Sequence, residues 1–115
     1  MIKKSTLTSL TPLVETAVYT VPQGKKSELV MIWISNPSAN NRKITLKAYN
    51  SSADMSISIL EDFAIALHEL KQIGGTENTF VMMEEGDKIL ATGSTGSTFS
   101  VVCAVKEYND IIQGG

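Results

Sequence analysis

The stretch that most constrains this chain is Leu29-Val30-Met31-Ile32-Trp33-Ile34, an apolar run with no polar residue inside it. It is short, rich in β-branched and aromatic side chains, and stopped by Asn36-Pro37, which predicts a buried central strand rather than a helix. The preceding Val21-Pro22-Gln23-Gly24-Lys25-Lys26 is a turn: Pro22 presets φ, and Gly24 takes the left-handed conformation that a side chain resists. A strand apolar on both faces must be covered on both. Val30, Ile32 and Ile34 alternate against Leu29, Met31 and Trp33, so one set fills a core and the other needs a second cover. A loop, a chain terminus or a partner subunit could supply it. Val30, Ile32 and Ile34 are the candidate interface set, together with Ile111 and Ile112 near the C-terminus.

The rest of the chain repeats strand and turn signals. Residues 1–13 are rich in Ser, Thr and Lys and read as an N-terminal arm, ordered only if something holds it. Glu15–Val21 alternates, with Ala17, Tyr19 and Val21 on one face and Val18 and Thr20 on the other. Arg42–Tyr49 sends Ile44, Leu46 and Ala48 one way and Lys43, Thr45, Lys47 and Tyr49 the other, as a half-buried strand does. Met55–Ile59 alternates again and pairs plausibly with it as a hairpin. Leu60–Ile73 is open between two readings: a short helical turn near Asp62–Lys71, from the spacing of Phe63, Leu67 and Leu70, or extended chain. Thr79–Met83 and Lys88–Thr92 are strands about a Glu84-Glu85-Gly86-Asp87 turn, with Gly86 at positive φ. The last strand, Thr98–Glu107, carries Phe99, Val101, Cys103 and Val105 on one face. Roughly seven or eight short strands at near-regular spacing predict an all-β, single-domain antiparallel sandwich, jelly-roll-like or immunoglobulin-like, over residues 14–108, with a tail at 109–115.

Composition removes several functions. A chain of 115 residues with a formal charge of −2 lacks the clustered basic surface that phosphate contacts need, so no nucleic-acid partner is expected. No apolar stretch approaches the roughly 20 residues of a membrane helix, and no membrane partner is expected. One cysteine makes neither a disulfide framework nor a thiolate metal site.

The residues that could carry chemistry do not converge. His68 is the only histidine, which leaves neither a His-based metal cluster nor a Ser-His-Asp set with a spare orienting His. Cys103 sits mid-strand between Val101 and Val105 and reads as core. Glu84, Glu85 and Asp87 lack the alternating ligands and later glutamate of a calcium loop. Gly93-Ser94-Thr95-Gly96-Ser97-Thr98 has no Lys after its second Gly and no following helix, unlike a phosphate loop. Trp33, in its apolar run, reads as core or interface before sugar platform. The expectation is a protein with no catalytic residues, metal or cofactor.

Tyr19-Thr20-Val21-Pro22-Gln23-Gly24-Lys25, then an apolar strand ending at Ser35-Asn36, then Phe80 to Ile89 with its Gly86-Asp87 turn, then a strand ending Val105-Lys106-Glu107-Tyr108: this order resembles small β-sandwich virion proteins of tailed bacteriophages. The resemblance spans Ala17 to Tyr108. It implies a non-enzymatic structural subunit, a capsid decoration or cement protein or a tail, neck or fibre component. Such a subunit is made in a host cytoplasm and ends in the virion, as a homo-oligomer docked on other virion proteins. Pro22, Gly24, Gly86 and Asp87 would be its structural turns, and the two termini its docking arms. A carbohydrate- or receptor-binding module of a fibre is the alternative, which exposure of Trp33, Tyr19 or Tyr49 would favour.

Overall fold

Alternation with period two puts each strand's apolar set on one side, and two such sheets bury those sides against each other. A computed structural model of the chain describes residues 1–75 and 81–109. Their nine strands are β1 (Ile2–Ser9), β2 (Thr16–Thr20), β3 (Lys25–Ser35), β4 (Arg42–Asn50), β5 (Met55–Ile65), β6 (Leu70–Gly74), β7 (Val81–Met83), β8 (Lys88–Gly93) and β9 (Ser100–Asn109). One sheet runs β1-β9-β3-β6, with β7 also paired to β3. The other runs β2-β8-β4-β5, and every pairing in both is antiparallel. The expected all-β sandwich is therefore the fold.

The core lies between the sheets. Leu29, Ile32, Ile34, Val101, Cys103 and Val105 of the five-stranded sheet pack with Val18, Ile44, Leu46 and Ile89 of the other. Phe99, at the start of β9, is fully buried with them. Each such side chain contributes on the order of 1.5–3 kcal/mol by leaving water. The Thr6 hydroxyl donates to the Val18 carbonyl at 2.9 Å, tying β1 to β2 across the sandwich.

Two expectations change, and a reading left open between two alternatives is decided. Residues 2–9 are no arm: β9 holds them in register from Ile2 opposite Glu107 to Ser9 opposite Ser100, so the domain starts at β1. The segment after Leu60 has no helix. It continues β5 to Ile65, turns at Ala66–Glu69 where the Glu69 N–H donates to the Ala66 carbonyl, and returns as β6. The Phe63, Leu67, Leu70 spacing thus joins residues of two strands and a turn. In β2 a bulge between Ala17 and Tyr19 turns both Val18 and Tyr19 inward, where strict alternation would oppose them. Asn109 pairs with Lys25 as the last residue of β9. The remaining tail, 110–115, lies outside the described residues, as does the 79–80 part of the expected Thr79–Met83 strand.

The expected turns are where they were placed. Gly24 has φ 76° and Gly86 φ 85°. The two turns are joined to each other: the Gly24 N–H donates to Glu85 Oε1 at 2.7 Å, Val21 N–H to the Asp87 carbonyl and Gly86 N–H to the Val21 carbonyl. Asp87 is nearly buried because its carboxylate accepts from the Ser51 N–H and hydroxyl and from the Glu84 N–H. Pro22 accepts the Lys25 N–H that closes the first turn.

Candidate functional site: the outer face of the five-stranded sheet

The long apolar strand β3 could have buried either of its faces. A bulge decides the matter. Its register with β9 shifts between Leu29 and Met31, so Leu29, opposite Val105, shares the inner face with Ile32 and Ile34, opposite Cys103 and Val101. Val30 is the extra residue. Ile32 and Ile34 are 0 % exposed, so the candidate interface set is corrected: two of its members are core, and Val30 is half-buried at the bulge. Ile111 and Ile112 lie outside the described residues.

The face left outward is the other one. Trp33 stands opposite Val102 of β9 and Gln72 of β6, and Leu7 of β1 stands beyond Val102. In the row to one side Met31 lies between Ala104 and Gly74, and in the row to the other side Leu70 opposes Ser35. Leu7 is 72 % exposed, Leu70 55 % and Trp33 40 %. Leu7, Val102, Trp33, Met31 and Ala104 form an apolar patch, since directly opposed side chains on one face lie within about 5 Å of each other, and Gln72 and Ser35 stand between it and Leu70. Its lower end is charged, with Glu28 opposite Lys106. Lys3 opposes Lys106, and with Lys4 they rim a hollow of about 390 Å³ floored by Val30 and Ala104. The outer face of the other sheet is mostly polar, with Lys43, Thr45 and Lys47 on β4 and Lys88 and Thr92 on β8, and Leu90 lies among them opposite Lys47. There Lys47 meets Glu15 at 3.9 Å and the Lys88 ammonium lies 5.8 Å from the Tyr49 ring centre. One face is built for water and the other is not.

A second apolar surface opens between the sheets, where Ile57, Met55 and Ala48 face Val81 and Met83 across a groove of about 340 Å³. These residues point inward, yet the short β7 leaves Ile57 73 % exposed.

The remaining candidates lie apart. His68 is exposed in the β5–β6 turn with φ 58°, whereas Cys103 is buried mid-β9. Burial pushes the Cys103 thiol up to about 12, opposed in part by the Thr6 hydroxyl bond. Among the described residues no group of three or more His, Cys, Asp or Glu could hold a metal ion, and no helix is long and apolar enough to cross a membrane. Tyr19 is buried rather than presented to a ligand, and Tyr49 donates to Asp54 at 2.7 Å.

These raised pKa values have a consequence for alkali. The Tyr19 phenol is pushed up too, by burial first and then by its hydrogen bond to Glu107. An unfolded chain releases both protons near their ordinary values of about 9 to 10, while the folded chain keeps them. The stability they confer is whole below about pH 9 and is lost as pH rises toward 12. Urea midpoints should therefore fall steadily above about pH 9. Below it, native Cys103 should react with iodoacetamide only after denaturation. A midpoint flat from neutral to about pH 11, or rapid native alkylation, would contradict this.

Leu7 was missed because residues 1–13 look like a polar arm; the signal available was the β-branched spacing of Thr6 and Thr8. Comparison with protein-family models, curated proteins and solved structures finds no match.

Proposed function

We propose that this chain is a non-enzymatic structural subunit, a virion protein of a tailed bacteriophage that assembles with copies of itself and with capsid or tail proteins. The observation that carries the reading is the apolar patch about Trp33 on the outer face of the five-stranded sheet, set beside a partner-sheet outer face where Lys43, Thr45, Lys47, Lys88 and Thr92 surround Leu90. Contiguous apolar surface rimmed by charge is what association buries. The large aromatic at its centre is the residue type that dominates such contacts. The resemblance to virion β-sandwiches supplies the setting, and the two turns that carry it bond directly to one another, which gives their order along the chain a physical reason. The same exposure of Trp33 favours a carbohydrate-binding reading second, since an indole face stacks on sugars. Of its neighbours, Val102, Met31 and Leu7 offer no side-chain hydrogen bond to a glycan, and the Gln72 amide already donates to the Gly74 carbonyl at 3.3 Å, so protein contact ranks first.

Trp33 is the only tryptophan, so its fluorescence reads this face alone. The wild-type protein should form a discrete oligomer by light scattering after gel filtration, with Trp33 emission shifting to the blue as protein concentration rises. Trp33→Lys should remain folded, because the side chain lies outside the core, and should run at lower mass. A wild-type monomer with the emission of a wet indole at every concentration would count against the reading. Quenching of that emission by a glycan would move the face to carbohydrate binding.

A further inference from the structure

The edges of the two sheets are unequally guarded. β2 is five residues long and bulged. β5 carries two register shifts against β4 and holds Asp62 at φ 45°. The edge beside β3 is divided between β6 and β7, five and three residues long. Short strands, bulges and lysines, on the edge or pointing inward, are the means by which β proteins keep edges from pairing with another chain. β1 is neither short nor bulged, and its guards are Lys3 and Lys4, both in its first half. Its eight residues pair with β9 in unbroken register, and no other described strand pairs with its second side, where a row of backbone N–H and C=O groups runs.

We propose that β1 is a pairing edge for a second copy of this chain, the two β1 strands running antiparallel about a two-fold axis at Ser5 and joining two five-stranded sheets into one. Residues opposed in an antiparallel pair point to the same face. The outer set Lys3, Ser5, Leu7 and Ser9 must therefore meet itself, and the inner set Ile2, Lys4, Thr6 and Thr8 likewise. Pairing centred on Ser5 sets Ile2 against Thr8, Lys3 against Leu7 and Lys4 against Thr6. No lysine faces a lysine, and the aliphatic stem of Lys3 covers the exposed Leu7. Centring on Lys4 would oppose two ammonium groups, and centring on Thr6 would leave Leu7 against Ser5. Centring on Leu7 would oppose Leu7 to itself but pair only Ser5–Ser9, five of the eight residues. The Ser5 register opposes no lysines, covers Leu7 and pairs seven, with both charges in the first half of the strand and β-favouring Thr and Leu in its second.

A two-fold contact closes on itself, so it yields a dimer rather than a fibre, provided the other edges are guarded, as they are. The dimer sets two outer faces side by side and pointing the same way. It leaves Trp33 uncovered, because β9 stands between β3, which carries that side chain, and the β1 edge. The contact is separate from the outer-face contact and stands or falls without it.

The test is the mass of the full chain by sedimentation equilibrium for the wild type, Ser5→Lys and Ser5→Cys. Ser5 is exposed on the outer face, so neither change touches the core. The wild type should reach at least a dimer, and pairing through β1 should by itself leave Trp33 emission unchanged. S5K, which brings two ammonium groups together at the axis, should weaken the dimer about five-fold or more. S5C should give a covalent dimer on oxidation or with a short bismaleimide, while buried Cys103 stays out of the reaction. A wild-type chain that does not dimerise overturns the proposal. So does an S5C protein that gives no covalent dimer, whatever S5K does. Self-association that shifts Trp33 emission and ignores S5K would keep the outer-face reading and remove this one.

Discussion

Asn36→Ala is expected to lower the unfolding free energy by about 3 kcal/mol, since it strips partners from several buried backbone groups at once. Asn36 is fully buried at the end of β3. Its side-chain amide donates to the carbonyls of Ile65 at 2.9 Å, Asn40 at 3.0 Å and Ala66 at 3.2 Å, and its Oδ1 accepts the Ser38 N–H. Its own N–H donates to the Glu69 carbonyl. One side chain therefore pins the loop after β3 to the turn between β5 and β6, joining the two sheets at that end. Asn36→Asp should be worse than alanine, because a carboxylate would face carbonyl oxygens with nothing to donate. Urea unfolding of both variants decides this. A loss under about 1 kcal/mol in N36A would mean that water takes over those carbonyls without cost.

Tyr19→Phe is expected to cost nearly as much, again about 3 kcal/mol, at the opposite end of the sandwich. The phenol donates to Glu107 Oε2 at 2.6 Å. Having spent its proton there, it accepts from the Ser27 hydroxyl, also at 2.6 Å. Glu107 is nearly buried, and its remaining cationic neighbour, Lys4, stands at 3.6 Å. Removing the phenol oxygen leaves a desolvated carboxylate short of its closest donor and a buried serine without a partner. Glu107→Gln should restore part of the loss in the Tyr19→Phe background, since a neutral amide needs less compensation than a charge. Equal losses in the single and double variants would show that the carboxylate is hydrated and the network contributes little.

Both residues sit where the sequence reading was partly right. Asn36 was legible as a strand stop and loop residue, because Asn-Pro breaks a ladder through the chemistry of two adjacent residues. Its bonds to Ile65 and Ala66, some thirty residues on, were not legible, since nothing local marks which distant carbonyl a buried amide will meet. Tyr19 was assigned to one face by alternation. The bulge beside it, which also turns Val18 inward, depends on the pairing with β8.

What the sequence by itself determined are the properties carried by a few consecutive residues. These include the strand periods of Arg42–Tyr49 and of Phe99–Val105, the left-handed glycines at 24 and 86, the burial of Cys103 and the all-β class. Each follows from side-chain size, branching and backbone freedom within about ten residues. Only the tertiary structure decided which face of β3 is core, because that strand is apolar on both sides and its own pattern is degenerate. The choice was made by the bulge at Val30 and by the inward set of β9, a neighbour some seventy residues away. The same non-local pairing turned a Ser- and Thr-rich stretch into β1, whose polar composition is what an edge strand requires and what a tail also shows. Local chemistry sets what a segment can be; long-range pairing, which must bring distant strands together at a cost in chain entropy, sets which side of it the solvent sees.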